Sequence, residues 1–370
     1  MPRHPEPTAQ LRAVPATTPF VGPEDLARRV GRDSLVRLGA NESSFGPSPL
    51  AIAAMHAAVP LTSLYGDPEL VELRTALAAR HRCGIENITV GAGIDDLLGL
   101  IVRAYCGPGG IALMTRGSYP TFVYHVVGYG AQLSTVEPHA DGSTDVAALV
   151  AAARERSPRV VYLANPDNPS GSFLVRDDVE RIRDAVPDDA LFVVDEAYAD
   201  FVRPDELLPE TIDGGTLRLR TFSKAYGMAG SRVAYGIGPA SVVATFQKIR
   251  HHFGVNRIGS TAALASLGDG AFVSGVVAEV ERGREEYYKL GERLGLRTLP
   301  SRTNFVCFEI GTRAQAEAMV EALLTRGIFV RKPGQPPIDG FIRVTVGTAE
   351  QRAAFAAALS EALDAVRERV

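Results

Sequence analysis

Cysteine is scarce in this chain, and the three present, Cys83, Cys106 and Cys307, lie far apart. An odd, scattered set makes no disulfide framework and no zinc spacing, which suits a reducing cytosol and no metal site. Cys307, in "NFVCFEI", reads as a small core hydrophobe. The adjacent His251 and His252 point different ways on a helix, so they make no metal pair either. Charge of one sign is also lacking. A net charge of −4 is too near balance for the basic footprint of a nucleic-acid or anionic-membrane binder. No apolar run approaches the roughly 20 residues that span a bilayer. The proline-broken opening "MPRHPEPTAQLRAVPATTPF" has no apolar core of signal-peptide length. The expectation is a soluble cytoplasmic protein with no membrane or nucleic-acid partner.

What is present is alternation. From about residue 50 to 240, helical patterns such as "PELVELRTALAARH", "GIDDLLGLIVRAY" and "DVAALVAAARERS" repeat apolar residues at three and four. Between them stand "NITV", "IALMT", "VVYLA", "LFVVD" and "RVAYGIG", too short for helices and bounded by Gly, Pro or Asn. This predicts an α/β fold, a mostly parallel sheet with helices on both faces. The C-terminal third changes character. "GSTAALASLGDGAFVSGVVAEVERGREEYYKLGERLG" reads as one long helix, followed by "SRTNFVCFEI", "IFVRK", "FIRVTVG" and two more helical patterns. A chain of 370 residues accommodates a large domain at 40–255 and a smaller α+β domain formed by 1–39 and 256–370.

In such sheets ligands sit beyond the carboxyl ends of the strands, so the residues after each apolar run carry the information. In "ITVGAGIDDLL" a strand turns through Gly91 and Gly93 into a helix near Ile94 and Asp95, where free backbone N–H groups can approach a phosphate. Tyr119 follows "IALMT" and could stack on a flat ligand. "NPDNPSG" stiffens a turn with Pro166 and Pro169 and offers the Asn168 amide. Asp195 ends the apolar strand "LFVVD", where an isolated carboxylate is expensive unless paired. Its partner is either an arginine or a protonated ring nitrogen, and Tyr198 lies close enough in sequence to serve the same ligand. In "TFSKAYGMAGSR", Ser223 and Arg232 flank Lys224 with groups suited to a phosphate. A lysine amine among cations in a desolvated site has its pKa lowered, which prepares a Schiff-base nucleophile. Together these parts are what a pyridoxal-phosphate site needs.

The combination "NPDNPSG", "VVDEAY", "TFSKAYGMAGSRVAYGIG" and "RVTVG", in that order, resembles fold-type I pyridoxal-phosphate aminotransferases. The likeness is greatest to the histidinol-phosphate aminotransferase branch and runs from "LGANESSFGPSP" to "IRVTVGTAEQ". It implies an aspartate aminotransferase-like fold with a seven-stranded type of sheet. It also implies pyridoxal 5'-phosphate as cofactor, with Lys224 as its Schiff-base anchor and proton carrier. Asp195 then holds the ring nitrogen, Asn168 and Tyr198 the phenolic oxygen, and Tyr119 stacks on the ring. Ile94, Asp95, Ser223 and Arg232 hold the phosphate, and Tyr65 reaches the cofactor of a second subunit, which implies a homodimer with shared sites. Arg343 grips a substrate carboxylate. Two small molecules exchange the amine: an amino donor and an oxo acid, commonly 2-oxoglutarate.

The sequence departs from the family pattern in places. "GAGIDD" puts Ile94 where relatives carry a serine, and Phe20 stands where a tyrosine is frequent. Arg331 and Lys332 in "VRKPGQPP" leave a phosphorylated or anionic substrate possible. Histidinol phosphate and aromatic amino acids both stay open as donors. A decarboxylase of the same fold, or a non-catalytic cofactor-binding regulatory module, are the alternatives.

Overall fold

Short β-branched runs closed by Gly, Asn or Asp become the strands of one seven-stranded sheet. In this computed structural model residues 5–12, 14, 21–212 and 214–367 are described, and Phe20 lies outside them. The strands are β1 (Ile88–Gly91), β2 (Ile111–Thr115), β3 (Gln132–Val136), β4 (Val160–Ala164), β5 (Leu191–Asp195), β6 (Thr216–Thr221) and β7 (Ala234–Ile237). Their order across the sheet is β1-β7-β6-β5-β4-β2-β3. β7 runs antiparallel to both its neighbours and every other pairing is parallel.

Both faces of the sheet are covered, which is why β4 and β5 read as unbroken apolar runs. Side chains alternate across the pleat. Tyr162 and Val193 join Leu97, Leu98 and Phe122 on one face, while Val161, Leu163, Phe192 and Val194 join Leu149 and Ile182 on the other. β3 is the exception. It is an edge strand with exposed Gln132 and Leu133, and its weak apolar signal leaves no mark in the sequence pattern.

A second sheet pairs β8 (Phe305–Glu309) with β9 (Phe341–Thr345), antiparallel, with Arg343 opposite Cys307. Val306, Phe308, Ile342 and Val344 pack there against Tyr287 and Phe355. Val36–Arg37 pairs in parallel with Ile328–Phe329, so a segment before the large sheet meets one from the C-terminal third. The expected single long helix is in fact two, Arg257–Leu267 and Gly270–Leu294, bent by 86°. Asp269 leaves helical geometry at φ −111°, ψ 54° and becomes the N-cap of the second helix. Asp favours that position over a helix interior, and flanking glycines give the interior little support. No single helix among the described residues is long and apolar enough to cross a membrane.

Candidate active site

The carboxyl ends of β1, β2, β4, β5 and β6 deliver their loops to one cavity of about 240 Å³. Lys224, Asp195, Asn168, Tyr198, Tyr119, Ile94, Asp95, Ser223 and Arg232 all line it. The sequence spread these residues over more than a hundred positions, and the sheet gathers them.

Lys224 is half-buried, and its amine donates to the backbone carbonyl of Asn41 at 3.1 Å. Burial lowers its pKa to about 8, helped by the positive charges of Arg343 and Arg232 and opposed by Glu42 and Asp95. The neutral, nucleophilic amine is therefore about a tenth of the population at pH 7 and about half at pH 8, far more than for an ordinary lysine. The Tyr198 ring lies beneath it, 5.6 Å from Nζ to centroid. Tyr198 Oη in turn accepts from Asn41 Nδ2 at 2.9 Å.

Asp195 is buried at the end of β5 and has no arginine partner among the described residues. Its oxygens accept from the Tyr162 hydroxyl at 2.8 Å and the Ala197 N–H at 3.1 Å. Burial raises its pKa to about 6 against those two donors. The arginines go to the next residue: Glu196 takes Arg218 at 2.9 Å and Arg220 at 2.7 Å.

Helix α1 (Ile94–Ile101) begins at the cavity wall. Its first N–H groups have no intrahelical acceptor, and Asp96 reaches back to the Ala92 N–H at 2.9 Å. Gly93, its N-cap, sits at φ +97°, and a Cβ there would lie 2.1 Å from Arg232 Nη2. The backbone conformation calls for glycine, and any Cβ would also push the Arg232 guanidinium aside. Arg232 thereby lies across the helix start, 3.8 Å from Asp95. The Ser223 hydroxyl accepts from Thr221 Oγ1 at 2.9 Å, which leaves its own proton to donate. Ile94 turns into the hydrophobic core, so only its backbone N–H can serve an anion.

Asn168 stands where this cavity meets a larger one of about 750 Å³. Its Oδ1 accepts from Arg343 Nη1 at 2.5 Å, which turns the amide Nδ2 free to donate. Arg343 Nη2 donates to Gly39 O at 3.0 Å, while its buried Nε finds no acceptor among the described residues. Arg331 lines the same cavity and is the β-bridge partner of Arg343. Lys332 is held by Glu317 at 3.3 Å. Tyr65 is not in either cavity. It is 79% exposed on the surface, its ring 4.6 Å from that of Phe253.

The sequence reading missed Asn41 and Tyr162. Asn41 is buried at φ +54°, and it supplies both the lysine's acceptor and the tyrosine's donor. Its signal was faint: asparagine tolerates left-handed backbone better than most residues, but nothing in "LGANES" requires it. Tyr162 sits mid-strand and looks like any core aromatic.

The family model described as aminotransferase class I and II matches residues 33–359. The chain belongs to that family. It is 36% identical to histidinol-phosphate aminotransferase 1 of Mesorhizobium japonicum, over 92% of this chain and 93% of the relative. It is 39% identical to the histidinol-phosphate aminotransferase of Erythrobacter litoralis, over 90% and 92%. The crystal structure of histidinol-phosphate aminotransferase from Sinorhizobium meliloti in complex with pyridoxal-5'-phosphate superposes with a TM-score of 0.94. It shares 40% identity and covers 98% of this chain and 99% of that one. The expected fold class, enzyme class and cofactor are borne out by this aminotransferase membership.

Proposed function

We propose that this aminotransferase moves an amine between histidinol phosphate and 2-oxoglutarate with pyridoxal 5'-phosphate. The observation that carries the substrate is the pair Arg331 and Arg343, bridged to one another and lining a cavity that opens onto the Lys224 cavity at Asn168. Histidinol phosphate has a phosphate and no carboxylate, whereas 2-oxoglutarate has two carboxylates. Paired guanidinium forks suit either kind of anion. The names of the M. japonicum and E. litoralis relatives support the same substrate.

The cofactor fits the residues present. The space above Gly93 that a Cβ would fill, the charged Arg232 and the open N–H groups of α1 suit its phosphate. Asp195, buried without a cation, suits a protonated ring nitrogen. Asn168 Nδ2 and the Tyr198 hydroxyl suit the phenolic oxygen, and Tyr119 suits the ring face. When bound, pyridoxal phosphate supplies an electron sink for a carbanion. Lys224 anchors it and then takes up and returns the proton of the substrate's amine-bearing carbon, with a pKa placed for work near pH 8.

A second copy completes the site in this reading. Tyr65, Leu64 and Phe253 are 79%, 60% and 52% exposed, and the Tyr65 and Phe253 rings lie 4.6 Å apart, an apolar surface that a second copy would cover. Sedimentation that gives a monomer at working concentrations would overturn the dimer. The three free cysteines support a reducing, cytoplasmic setting.

The substrate is tested by offering histidinol phosphate and phenylalanine separately with 2-oxoglutarate and measuring glutamate. Histidinol phosphate is expected to be preferred by at least about tenfold, a low floor beside the roughly 10⁴-fold rejection that unpaired buried polar groups can bring. Equal rates would sink the assignment.

A further inference from the structure

Consecutive residues in the turn after β2 make hydrogen bonds of one kind to two different parts of the chain. The Ser118 hydroxyl donates to Asp167 Oδ1 at 2.5 Å, and the Tyr119 hydroxyl donates to Asp95 Oδ1 at 2.8 Å. We propose that the carboxylates of Asp167 and Asp95 are positioning residues that clamp the Ser118–Tyr119 turn and so fix the Tyr119 ring over the cofactor cavity. The proposal rests on the reading of Tyr119 as the residue stacked on the cofactor ring.

Asp167 is the stronger half of the argument. It is 5% exposed, yet its partners are neutral donors: Ser118, the Ser170 hydroxyl at 2.6 Å and the Ser170 N–H at 3.0 Å. A buried carboxylate without a cation is costly, and burial holds its pKa above the usual carboxylate value. Closing its own turn uses only Oδ2, through Ser170. Oδ1 is committed to a loop 49 residues away. Otherwise the turn is held by one backbone bond, Ser118 N–H to Thr115 O at 3.3 Å, and by packing of the Tyr119 ring against the core, neither of which fixes the ring's hydroxyl end. Gly117 is at φ +81°, and Tyr119, the N-cap of the helix Pro120–Gly128, makes no side-chain capping bond. Pro120 follows at once and offers no N–H.

The two anchors act at different ends of one side chain. Ser118 fixes the backbone that carries the ring, and Asp95 fixes the hydroxyl at its far edge. Asp95 lies 3.8 Å from Arg232 and Asp167 is next to Asn168, so each anchor belongs to a segment that itself meets the cofactor cavity. The clamp thus sets the stacking face against the phosphate cradle on one side and the amide donor on the other. Such a constellation works only when held to within about half an ångström.

The test uses the cofactor-loaded enzyme. Ser118→Ala and Tyr119→Phe each remove one hydroxyl and keep the ring. The readouts are the circular dichroism of the bound cofactor's visible band, the cofactor dissociation constant, and the melting temperature of the cofactor-free chain. The double variant is expected to weaken cofactor binding about tenfold, the scale of one charge-assisted hydrogen bond. It should also reduce the visible band while leaving the far-ultraviolet spectrum unchanged. Asp167→Asn keeps one acceptor oxygen, enough for Ser118 or for the Ser170 N–H but not both, and is expected to restore only part of what Asp167→Ala loses. A native band and native affinity in the double variant overturn the clamp. Should the double variant not fold, the two single variants decide the matter by the same readouts. Tyr119→Ala separates the two readings: if it leaves the band native, the stacking role fails. If it alters the band while the hydroxyl-deleted variants do not, only the clamp fails.

Discussion

Asp195 and Glu196 are neighbours at the end of one strand, both carboxylates and both buried, and the fold treats them in opposite ways. Glu196 is closed by Arg218 and Arg220. Burial would raise its pKa, but the two guanidinium charges outweigh that and hold it below the usual value. Asp195 receives a phenol and one N–H, and burial lifts it to about 6. The chain completes one charge internally and leaves the other to be completed by something bound. The same contrast separates Arg218 and Arg220 from Lys224, whose amine has a single carbonyl for company. A buried polar group that the protein could have satisfied and did not marks where a ligand belongs.

The comparison can be broken in four places. Lys224→Ala removes the open amine and is expected to cut turnover by roughly a thousandfold or more. Borohydride treatment of that variant should fix no cofactor to the chain, while its far-ultraviolet spectrum stays native. A cofactor still fixed would mean another lysine is the anchor. Next in size, Glu196→Gln leaves two buried arginines short of their counter-charge. It should cost about 3–5 kcal/mol in denaturant unfolding. Little loss would show that Glu196 is not structural after all.

Asp195→Asn runs the other way. In the cofactor-free chain the raised folded pKa means that the ionised carboxylate penalises the folded state. That penalty is absent below the unfolded value of 3.8, grows between there and about 6, and is complete above. The variant should therefore be more stable than the parent at pH 8, by up to about 3 kcal/mol. The advantage should vanish toward pH 4, and the variant should hold the cofactor poorly at every pH. A destabilised variant at pH 8 would place Asp195 with Glu196 as a structural charge. The smallest effect is on the lysine's titration. Capture of pyridoxal phosphate by the cofactor-free chain should rise with pH about a midpoint near 8. Arg343→Met removes a charge that holds the lysine's pKa down, so the midpoint should move up and the rate at pH 7 fall roughly two- to fivefold. An unmoved midpoint would mean burial alone sets it.

Much of this was legible in the sequence because the chemistry sits at strand ends. A buried parallel strand announces itself as an apolar run, and the residues just past its carboxyl end face the ligand. Lys224, Asp195, Asn168 and Arg232 were found that way, and the cavity contains them all. What stayed hidden depends on partners distant in sequence. That Arg218 and Arg220 would choose Glu196 over Asp195 follows from β5 lying beside β6 in a particular register. The edge strand β3 lacks an apolar run because one side of it meets water. The 86° bend at Asp269 competes with apolar spacing that continues across it. Tyr65 lies on the surface beside the ring of Phe253, outside both cavities.

Asn41 holds the lysine by its peptide carbonyl rather than by its side chain. A side-chain acceptor can be deleted by one codon change, but a peptide carbonyl cannot. Substitution at position 41 deletes the side chain's bond to Tyr198, but it reaches the lysine's acceptor only through the angle at which the carbonyl is presented, set by the left-handed backbone that asparagine accepts. The carbonyl that receives the reactive amine is thus beyond deletion by substitution at 41, and is disturbed most by residues too branched to hold φ near +54°.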